Sequence, residues 1–252
     1  VHHYDGKRHP EKFAGETSGQ ELILRQISDP MRYLPSHAIK TGIAQMALYG
    51  TFDTSPDGKL RKPHPANTEI RISTDGSNLI PVLNNLSKDT IAFEEFEKQL
   101  QTINRHFKQF KFQSYASLLY LSLIERNMRH EIDLGFISDG TLRYIYLLAI
   151  LLNKQGGMLV GIDEPESRLH PDMIHSVANL MKSAAKNRQL IVATHSPLLL
   201  NDFKLDDLLI FEKDNDNTTI VKRFYEADFI EHDDALLPGE LWMNGEIGGT
   251  KW

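Results

Sequence analysis

The hydrophobic positions of the chain follow two different periods. After Ile91, large apolar side chains recur at intervals of three and four residues, at Phe93, Phe96, Leu100, Ile103 and Phe107. This period predicts an amphipathic helix whose phenylalanine stripe packs in the core. Further along, apolar runs such as "MLVGI" and "LIVA" are continuous and alternate with helical stretches. Continuous runs are typical of strands buried on both faces of a parallel sheet, so the C-terminal half is predicted to be α/β.

The order of the other elements follows from the same patterns and from the turn residues between them. A helix is predicted over 36–50 and a strand over 67–73, with loops rich in Pro, Gly and Asp around them. Two strands, over 111–125 and 130–137, flank the polar "RNMRH" and predict a hairpin. The remaining elements are a helix over 138–154, a strand over 157–164, a helix over 170–187, a strand over 188–195, a short helix over 196–203 and a hairpin over 207–224.

Composition narrows the class of protein without naming one. The chain has 252 residues, of which 40% are hydrophobic and 25% charged, a balance typical of globular proteins. It has no cysteine, which removes disulfides and thiol chemistry. The apolar run Tyr144–Leu152 is far shorter than the roughly 20 residues of a membrane span. No apolar signal core precedes the first predicted helix, so a cytoplasmic location without a membrane partner is expected.

Charge leaves the question of nucleic-acid binding open. The formal net charge is −6, which gives no whole-protein argument for a nucleic-acid partner. Basic residues do gather in "RNMRH", "NRHFKQFK" and "GKLRKPHP". Such clusters are solvated faces more often than binding sites, and a DNA-facing patch is the alternative interpretation.

Polar side chains follow two neighbouring strands of the predicted sheet at the point where each strand ends. Asp163 and Glu164 end "LVGIDE", and Thr194 and His195 end "LIVATH". Functional sites of open parallel sheets lie at the carboxyl ends of the strands. One carboxylate there suits Mg²⁺ with phosphate oxygens, a second can orient a water, and an imidazole can contact a γ-phosphate. The alternative is that the acids and the histidine only cap the ends of elements.

The segment Ser138–Gly140, in "FISDGTLRYIYLL", begins the long helix that precedes the acidic strand. Ser138 is a good N-cap, and Gly140 allows a close approach of the backbone. The unpaired N–H groups and the dipole of this helix end favour an anion. A plain helix cap is the alternative, and the position of the segment one helix upstream of the acids favours the anion site.

Taken together, these motifs resemble the ATP-binding cassette (ABC) ATPase head of the SMC, RecF and OLD-like group. "SDGTLR" resembles its signature motif, "LVGIDEPE" its Walker B motif, "SRLHP" its D-loop and "ATHSP" its switch histidine. The tail "GELWMNGEIGG" resembles the end of bacterial AAA-type predicted ATPases built on this head. The resemblance implies the C-terminal part of a P-loop NTPase fold: a mostly parallel sheet flanked by helices, with a helical and β-hairpin insertion lobe.

The resemblance also implies roles for the residues. Asp163 is expected to coordinate Mg²⁺, Glu164 to polarise the attacking water and His195 to contact the γ-phosphate. Ser138, Asp139 and Gly140 are expected to bind the nucleotide of a second subunit, and Ser167 to couple the two sites. Arg143 is expected to be structural or on the surface, with a phosphate contact as the alternative. ATP and Mg²⁺ are the implied cofactors, and a homodimer around two ATP molecules is the implied assembly.

The P-loop of such heads, G-x-x-x-x-G-K-[ST], is absent from these residues. "DGKR" (Asp5–Arg8) and "DGKLR" (Asp57–Arg61) lack both the upstream glycine and the Ser or Thr, and are predicted to be turns. The chain is therefore expected to be the C-terminal portion of a longer protein and inactive alone. Two parts are predicted: residues 1–135, the remainder of an N-terminal lobe with the insertion, and residues 136–252, the ATPase core.

The predicted function is a nucleotide-gated dimeric ATPase in DNA maintenance or anti-phage defence, with DNA or an effector protein as a candidate partner. One alternative is an inactive, ATPase-derived module that binds partners. Another is the ATPase part of an OLD-type nuclease, for which Glu212, Asp214 and Asp216 would be the metal candidates. A polar hairpin turn explains these three acids better. His170 and His175 are five residues apart and do not share a helix face at metal-binding spacing.

Overall fold

A computed structural model describes residues 18–27, 29–50, 52–153, 157–229 and 237–248, with the backbone of two short strands before them. Within these residues the α-helices are α1 (Ile23–Gln26), α2 (Leu34–Ala44), α3 (Leu79–Leu86), α4 (Thr90–Ile103), α5 (Asp139–Leu151), α6 (Pro171–Ala185), α7 (Pro197–Leu200) and α8 (Pro238–Met243). The strands are β1 (His2–His3), β2 (Glu11–Lys12), β3 (Ala47–Tyr49), β4 (His64–Pro65), β5 (Phe107–Tyr115), β6 (Leu118–Glu125), β7 (Ile132–Asp133), β8 (Leu159–Asp163), β9 (Gln189–Ala193), β10 (Ile210–Lys213) and β11 (Thr219–Lys222).

The fold is α/β and contains a parallel sheet in the order β3-β8-β9. Val160 and Ile162 of β8 are buried in one apolar core with the inner faces of α5 and α6. Every residue of α5 from Leu142 to Leu151 is buried, as expected of a helix that is apolar on all sides. The α/β class predicted from the continuous apolar runs is therefore confirmed.

The strands of this sheet were predicted to be buried on both faces, and this prediction is wrong for the face that points away from α5 and α6. Leu48, Gly161 and Ile191 are in register across the three strands. Leu48 is 69% exposed and Ile191 is 53% exposed. Leu190 and Val192, which point the other way, pack against the core. The described residues thus cover one face of the sheet with helices and leave an apolar stripe on the other.

An antiparallel sheet in the order β4-β6-β5, with β7 beside β6, forms a second layer next to α3 and α4. The Phe stripe of α4 packs onto β5, so the predicted amphipathic helix is confirmed. Its last predicted member, Phe107, is instead the first residue of β5, because the helix ends at Asn104. Asn104 has extended dihedral angles, and its backbone N–H closes the helix on the carbonyl of Leu100.

Four element predictions before α5 are corrected by the structure. The segment 130–137 is a strand only at β7, and Leu134–Phe136 form a 3₁₀ turn. The segment 36–50 is helical only as far as Ala44, and its end forms β3. The segment 111–125 is not one strand, because Ala116 and Ser117 turn the chain with φ of 45° and 68° between β5 and β6. The segment 67–73 forms no strand. Its backbone groups bond to side chains instead: Asn78 to Arg71 and Ser73, Asn153 to Ile70, and Tyr49 to Ile72.

The remaining predicted helices and strands are confirmed from α5 to the hairpin β10–β11. Pro171 occupies the first turn of α6, as predicted. No helix among the described residues is long and apolar enough to cross a membrane. The predicted turn at Asp5–Arg8 and the last predicted residue of α5, Lys154, lie outside the described residues. The division at residue 135 stays a prediction.

Candidate functional site

The two predicted polar pairs lie side by side at the carboxyl edge of the parallel sheet. Asp163, the last residue of β8, is in register with Ala193, the last residue of β9. The backbone N–H of Glu164 donates to the carbonyl of Ala193 at 2.8 Å, which extends the ladder by one residue. Thr194 and His195 follow directly. The sheet therefore brings together the acids and the histidine that the sequence analysis assigned to one site.

The exposure of these side chains suits contact with a ligand. Asp163 and His195 are exposed, and Glu164 is half-buried. Glu164 has φ of +44°, in the left-handed region that a non-glycine residue seldom adopts. Such a conformation persists only where its surroundings impose it, and it is concentrated at functional sites. The chain thus leaves the regular strand conformation at Glu164, directly after the last residue of β8.

A third acid of the same motif ties the two strand ends together. The hydroxyl of Thr194 donates to Oε1 of Glu166 at 2.6 Å and accepts from the backbone N–H of Ser196 at 3.0 Å. The other carboxylate oxygen of Glu166, Oε2, is buried without a hydrogen-bond partner among the described residues. Sequence analysis quoted Glu166 within the motif but predicted no role for it. The hydrogen bond between Thr194 and Glu166 holds the end of β9 against the loop that follows β8.

The predicted anion site is the first turn of α5. Ser138 is the N-cap: its Oγ accepts from the backbone N–H of Thr141 at 3.2 Å. A Cβ on Gly140 would lie 3.2 Å from the carbonyl oxygen of Arg168, so this turn packs closely against the loop that carries Ser167. The backbone N–H of Ser167 bonds to the carbonyl of Glu164 at 3.1 Å. The signature-like turn and the D-loop-like segment of one chain are therefore neighbours.

Asp139 stands in a different electrostatic setting from Ser138 and Gly140. Its carboxylate accepts from the buried Arg61 at 2.5 Å and lies 3.8 Å from the exposed guanidinium of Arg168. The ion pairs neutralise a charge that would otherwise repel a phosphate at this helix end. The role of Arg61 has no local sequence signal, because its partners around the start of α5 are more than 70 residues further along the chain. A nucleotide contact by Asp139 itself stays a prediction.

Arg143 is neither a surface residue nor placed to reach a phosphate. It is 2% exposed, and its guanidinium donates to the carbonyl oxygens of Glu164 at 2.6 Å and of Pro165 at 3.4 Å. Its Cζ also lies 4.5 Å from the centre of the Phe52 ring. Burial lowers the pKa of Arg143 from its ordinary value, and the nearby charge of Glu166 acts in the opposite direction. The expectation of a structural residue is met, and the expectations of surface exposure and phosphate contact are wrong.

The acids proposed for the nuclease alternative are used within the hairpin β10–β11. Oδ1 of Asp214 accepts from the backbone N–H groups of Asp216 and Thr218 at 2.9 and 2.8 Å, and Glu212 pairs with Lys222. No group of three His, Asp or Glu residues in the described part of the chain is placed to hold a metal ion. These observations support the polar-turn interpretation of the three acids.

The two histidines set aside in the sequence analysis have local partners. His170 is the N-cap of α6, and its Nδ1 accepts from the backbone N–H of Asp172 at 3.3 Å. His175 lies on α6 with an exposed side chain, and its Nδ1 is 2.5 Å from Oδ1 of Asp202. These contacts fix the ends and the packing of α6 and α7, away from the strand ends.

Known proteins resemble this chain to different degrees. The uncharacterized protein MJECL43 of Methanocaldococcus jannaschii is 31% identical over 86 residues, which are 33% of this chain and 21% of that protein. The match thus spans about a fifth of that relative's length. Two solved structures also resemble the chain. An SMC head bound to the C-winged helix domain of ScpA has 12% identity and a TM-score of 0.49, covering 80% of this chain and 62% of its own. The SMC head domain from Thermotoga maritima has 16% identity and a TM-score of 0.39, covering 56% and 52%.

A family match covers the site. Residues 46–201, more than half of the chain, match the family described as "AAA domain, putative AbiEii toxin, Type IV TA system". The matched range contains the signature-like turn, β8 with its acids, and β9 with Thr194 and His195. The resemblance to an ATPase head is thereby confirmed, and the chain belongs to this AAA domain family.

Proposed function

We propose that this chain carries the hydrolytic and switch elements of an ATPase. The observation that carries the proposal is the hydrogen bond from the N–H of Glu164 to the carbonyl of Ala193 at 2.8 Å. It places the carboxylate pair of one strand beside Thr194 and His195 of the next. An acid pair and an imidazole at the carboxyl edge of a parallel sheet are suited to phosphoryl transfer.

In this proposal each residue has one task. Asp163, exposed at the strand end, would hold Mg²⁺, which binds through one or two carboxylates and keeps water and phosphate oxygens as its other ligands. The bound ion would neutralise negative charge on the nucleotide phosphates. Glu164, one residue further along the chain, orients and deprotonates the attacking water. His195 donates a hydrogen bond to the γ-phosphate and senses its presence.

The proposal includes a P-loop, which the 252 residues do not contain. The chain therefore binds ATP productively only where a P-loop is supplied to it. The N-terminus of α5 would serve a second head: Ser138 and Gly140 lie at a helix end whose N–H groups favour an anion. Two heads would then close around two ATP molecules, with Ser167 beside the contact.

The test is Mg²⁺-dependent phosphate release from ATP by the protein as its gene encodes it. Glu164→Gln is expected to lower turnover at least about 100-fold, because it removes the general base. Asp163→Ala is expected to abolish Mg²⁺-dependent turnover, because it removes the carboxylate that would hold the ion. Glu95→Gln is the matched control, since Glu95 is exposed on α4 and accepts a hydrogen bond from Gln99, away from the strand ends that carry the site. Hydrolysis that is absent in the wild type, or unchanged in both site variants, would overturn the proposal.

The dimeric switch has its own test. Glu164→Gln protein with ATP is expected to sediment as a dimer, and with ADP as a monomer, because the uncleaved γ-phosphate bridges the two heads. Ser138→Ala is expected to weaken the dimer and, because it removes the N-cap hydrogen bond to Thr141, to lower the stability of the monomer by about 0.5–2 kcal/mol. Sedimentation that does not depend on the nucleotide would reject the switch and leave hydrolysis to be judged separately. A role in DNA maintenance, anti-phage defence or a toxin–antitoxin pair belongs to this proposal as its biological setting.

A further inference from the structure

Arg143 is a buried cation whose guanidinium donates hydrogen bonds to the backbone of the loop that follows β8. It lies on α5, five residues after Ser138, and is 2% exposed. Its Nη2 donates to the carbonyl oxygen of Glu164 at 2.6 Å, and its Nε lies 3.4 Å from that of Pro165. A hydrogen bond with a charged donor is stronger than one between neutral groups. The helix that begins at the anion site therefore bonds directly to the peptide of the proposed general base.

The backbone of Glu164 needs such support. Its φ of +44° is costly for a residue with a side chain, by about 1–3 kcal/mol for strained positions of this kind. The conformation is held from two sides: the N–H donates to the carbonyl of Ala193 at 2.8 Å, and the carbonyl accepts from Arg143 at 2.6 Å and from the backbone N–H of Ser167 at 3.1 Å. Of these three bonds only the one from Arg143 has a charged donor, which makes it the stronger of the two at the carbonyl. Because the backbone conformation sets the direction of the side chain, the loss of this bond is expected to change where the carboxylate of Glu164 points.

The surroundings of Arg143 offset part of the cost of burying its charge. The face of the Phe52 ring lies 4.5 Å from Cζ. Burial lowers the pKa of Arg143, the negative charges of Glu166 and Glu164 act in the opposite direction, and the charge of Arg168 adds to the lowering. Glu166 is itself held by the hydroxyl of Thr194 at 2.6 Å. Arg143 is thus held between the ring of Phe52 and Glu166, which is bonded to the end of β9. It has little freedom to move unless these groups move as well.

We propose that Arg143 is the positioning residue for Glu164: it acts through the carbonyl of Glu164 to hold that carboxylate on the attacking water. The catalytic part of this inference rests on the proposed ATPase function. The structural part, that Arg143 maintains the left-handed backbone at Glu164, does not. A displacement of a catalytic group by about 1 Å can cost a factor of 100 in rate, so the effect is measurable.

A double-mutant cycle on single-turnover hydrolysis separates positioning from general structural support. Arg143→Met is expected to lower the rate about 10–100-fold in the wild type and to have almost no effect in Glu164→Gln, because the group that it positions is already gone. Arg188→Met is the matched control. Arg188 also donates to backbone carbonyls, those of Ile150, Leu151 and Asn153, at the far end of the same helix. It is expected to change the rate less than twofold.

Equal losses from Arg143→Met with and without the Glu164 carboxylate would overturn the inference and leave the ATPase proposal standing. A loss from Arg188→Met as large as that from Arg143→Met would also overturn it. If Arg143→Met does not fold, Arg143→Lys replaces it, since lysine keeps the charge and loses the planar fork that reaches two carbonyls. The same pattern of rates is expected from the lysine variant, with a smaller amplitude.

Amide hydrogen exchange tests the structural part without any turnover. In Arg143→Met the N–H of Glu164 is expected to exchange at least about 10-fold faster than in Arg188→Met, after correction for global stability. The N–H of Ile162, inside β8, is expected to be equally protected in both variants. Unchanged protection at Glu164 would refute the positioning role whether or not the protein hydrolyses ATP. Faster exchange at Glu164 in Arg143→Met, in a protein that does not hydrolyse ATP, would reject the proposed ATPase function. It would still support the structural part of the inference, that Arg143 maintains the backbone at Glu164.

Discussion

Arg61 and Asp139 are 78 positions apart in the chain, and Nη2 of Arg61 donates a 2.5 Å hydrogen bond to Oδ1 of Asp139. Nη1 of the same buried guanidinium donates to the carbonyls of Gly135 at 3.0 Å and Ile137 at 2.6 Å. The loop before α5 therefore closes around an arginine from a distant segment. This contact fixes the position of Ser138 and Gly140 before any ligand arrives.

Arg61→Met is expected to destabilise the protein by about 3–5 kcal/mol, because it leaves buried carbonyls and a carboxylate without their donor. Equilibrium unfolding in urea measures the change. Arg168→Met is the control on the same carboxylate: its side chain is 62% exposed, against 5% for Arg61, and lies 3.8 Å from Asp139. It is expected to cost less than about 1 kcal/mol. If Arg61→Met and Arg168→Met lowered the free energy of unfolding equally, the burial of Arg61 would contribute nothing to stability.

Gly239→Ala is expected to destabilise the contact between α7 and α8 by about 1–3 kcal/mol. An added Cβ would lie 2.1 Å from the carbonyl oxygen of Pro197 and 2.6 Å from Oδ1 of Asn201, so the two helices must move apart. Gly42→Ala is the control, since a Cβ there meets nothing within 4 Å inside α2. That change is expected to stabilise by about 0.5–1 kcal/mol. Thermal unfolding of the two variants measures the changes in stability. If Gly239→Ala and Gly42→Ala changed stability in the same direction, the packing argument would be contradicted.

Phe96→Ala is expected to cost about 3–5 kcal/mol of unfolding free energy, because it opens a cavity in the contact between α4 and β5. Phe96 is fully buried, and its ring lies 5.8 Å from that of Phe110 and 6.1 Å from that of Phe93. Ile91→Ala on the same helix is expected to cost less than about 0.5 kcal/mol, since Ile91 is 83% exposed. Denaturant titration of both variants checks this, and a small loss at Phe96 would refute its core role.

The stability of the protein is expected to fall in acid partly through Asp75. The ammonium of Lys59, with the hydroxyls of Ser77 and Ser73, holds the pKa of Asp75 well below its ordinary value. A carboxyl whose pKa is lower in the folded state stabilises the fold above its unfolded value of about 4 and loses that contribution as the pH falls toward the folded value. Asp75→Asn is therefore expected to flatten the decline in unfolding free energy below about pH 4.

Urea unfolding at a series of pH values measures this decline. Lys59→Met is expected to flatten it as well, because it removes the strongest partner of Asp75. Curves for the wild type and Asp75→Asn that stay parallel between about pH 2 and pH 5 would contradict the assignment.

The parts of the structure that the sequence predicted are those in which neighbours along the chain decide the outcome. The Phe stripe of α4, Pro171 at the start of α6 and the Ser138 cap of α5 depend on residues within one or two turns. The meeting of the acids and the histidine at one sheet edge was also predictable, but for a different reason: parallel strands all end on the same side of the sheet.

The parts that were not predicted depend on distant residues or on unusual turns. The backbone of 70–73 bonds to side chains that include Asn153, which no local pattern reveals. The turn at Ala116–Ser117 has no Gly, Asn or Pro, so its positive φ angles had no sequence signal. The bonds from Arg61 to the loop before α5 join segments more than 70 residues apart, so no local pattern reveals them. The exposed stripe of Leu48 and Ile191 likewise depends on what stands opposite the sheet, which local patterns do not contain.

The bond between Arg143 and Glu164 is made with the main chain of Glu164 and not with its carboxylate. The shape of this corner is therefore independent of the chemistry it presents, and any residue that tolerates a left-handed backbone can stand at position 164 without breaking the anchor. A glutamine there would keep the fold of the loop and remove only the proposed base. In evolutionary terms, a single substitution at position 164 would remove or restore the proposed reaction, while the architecture around it is inherited unchanged.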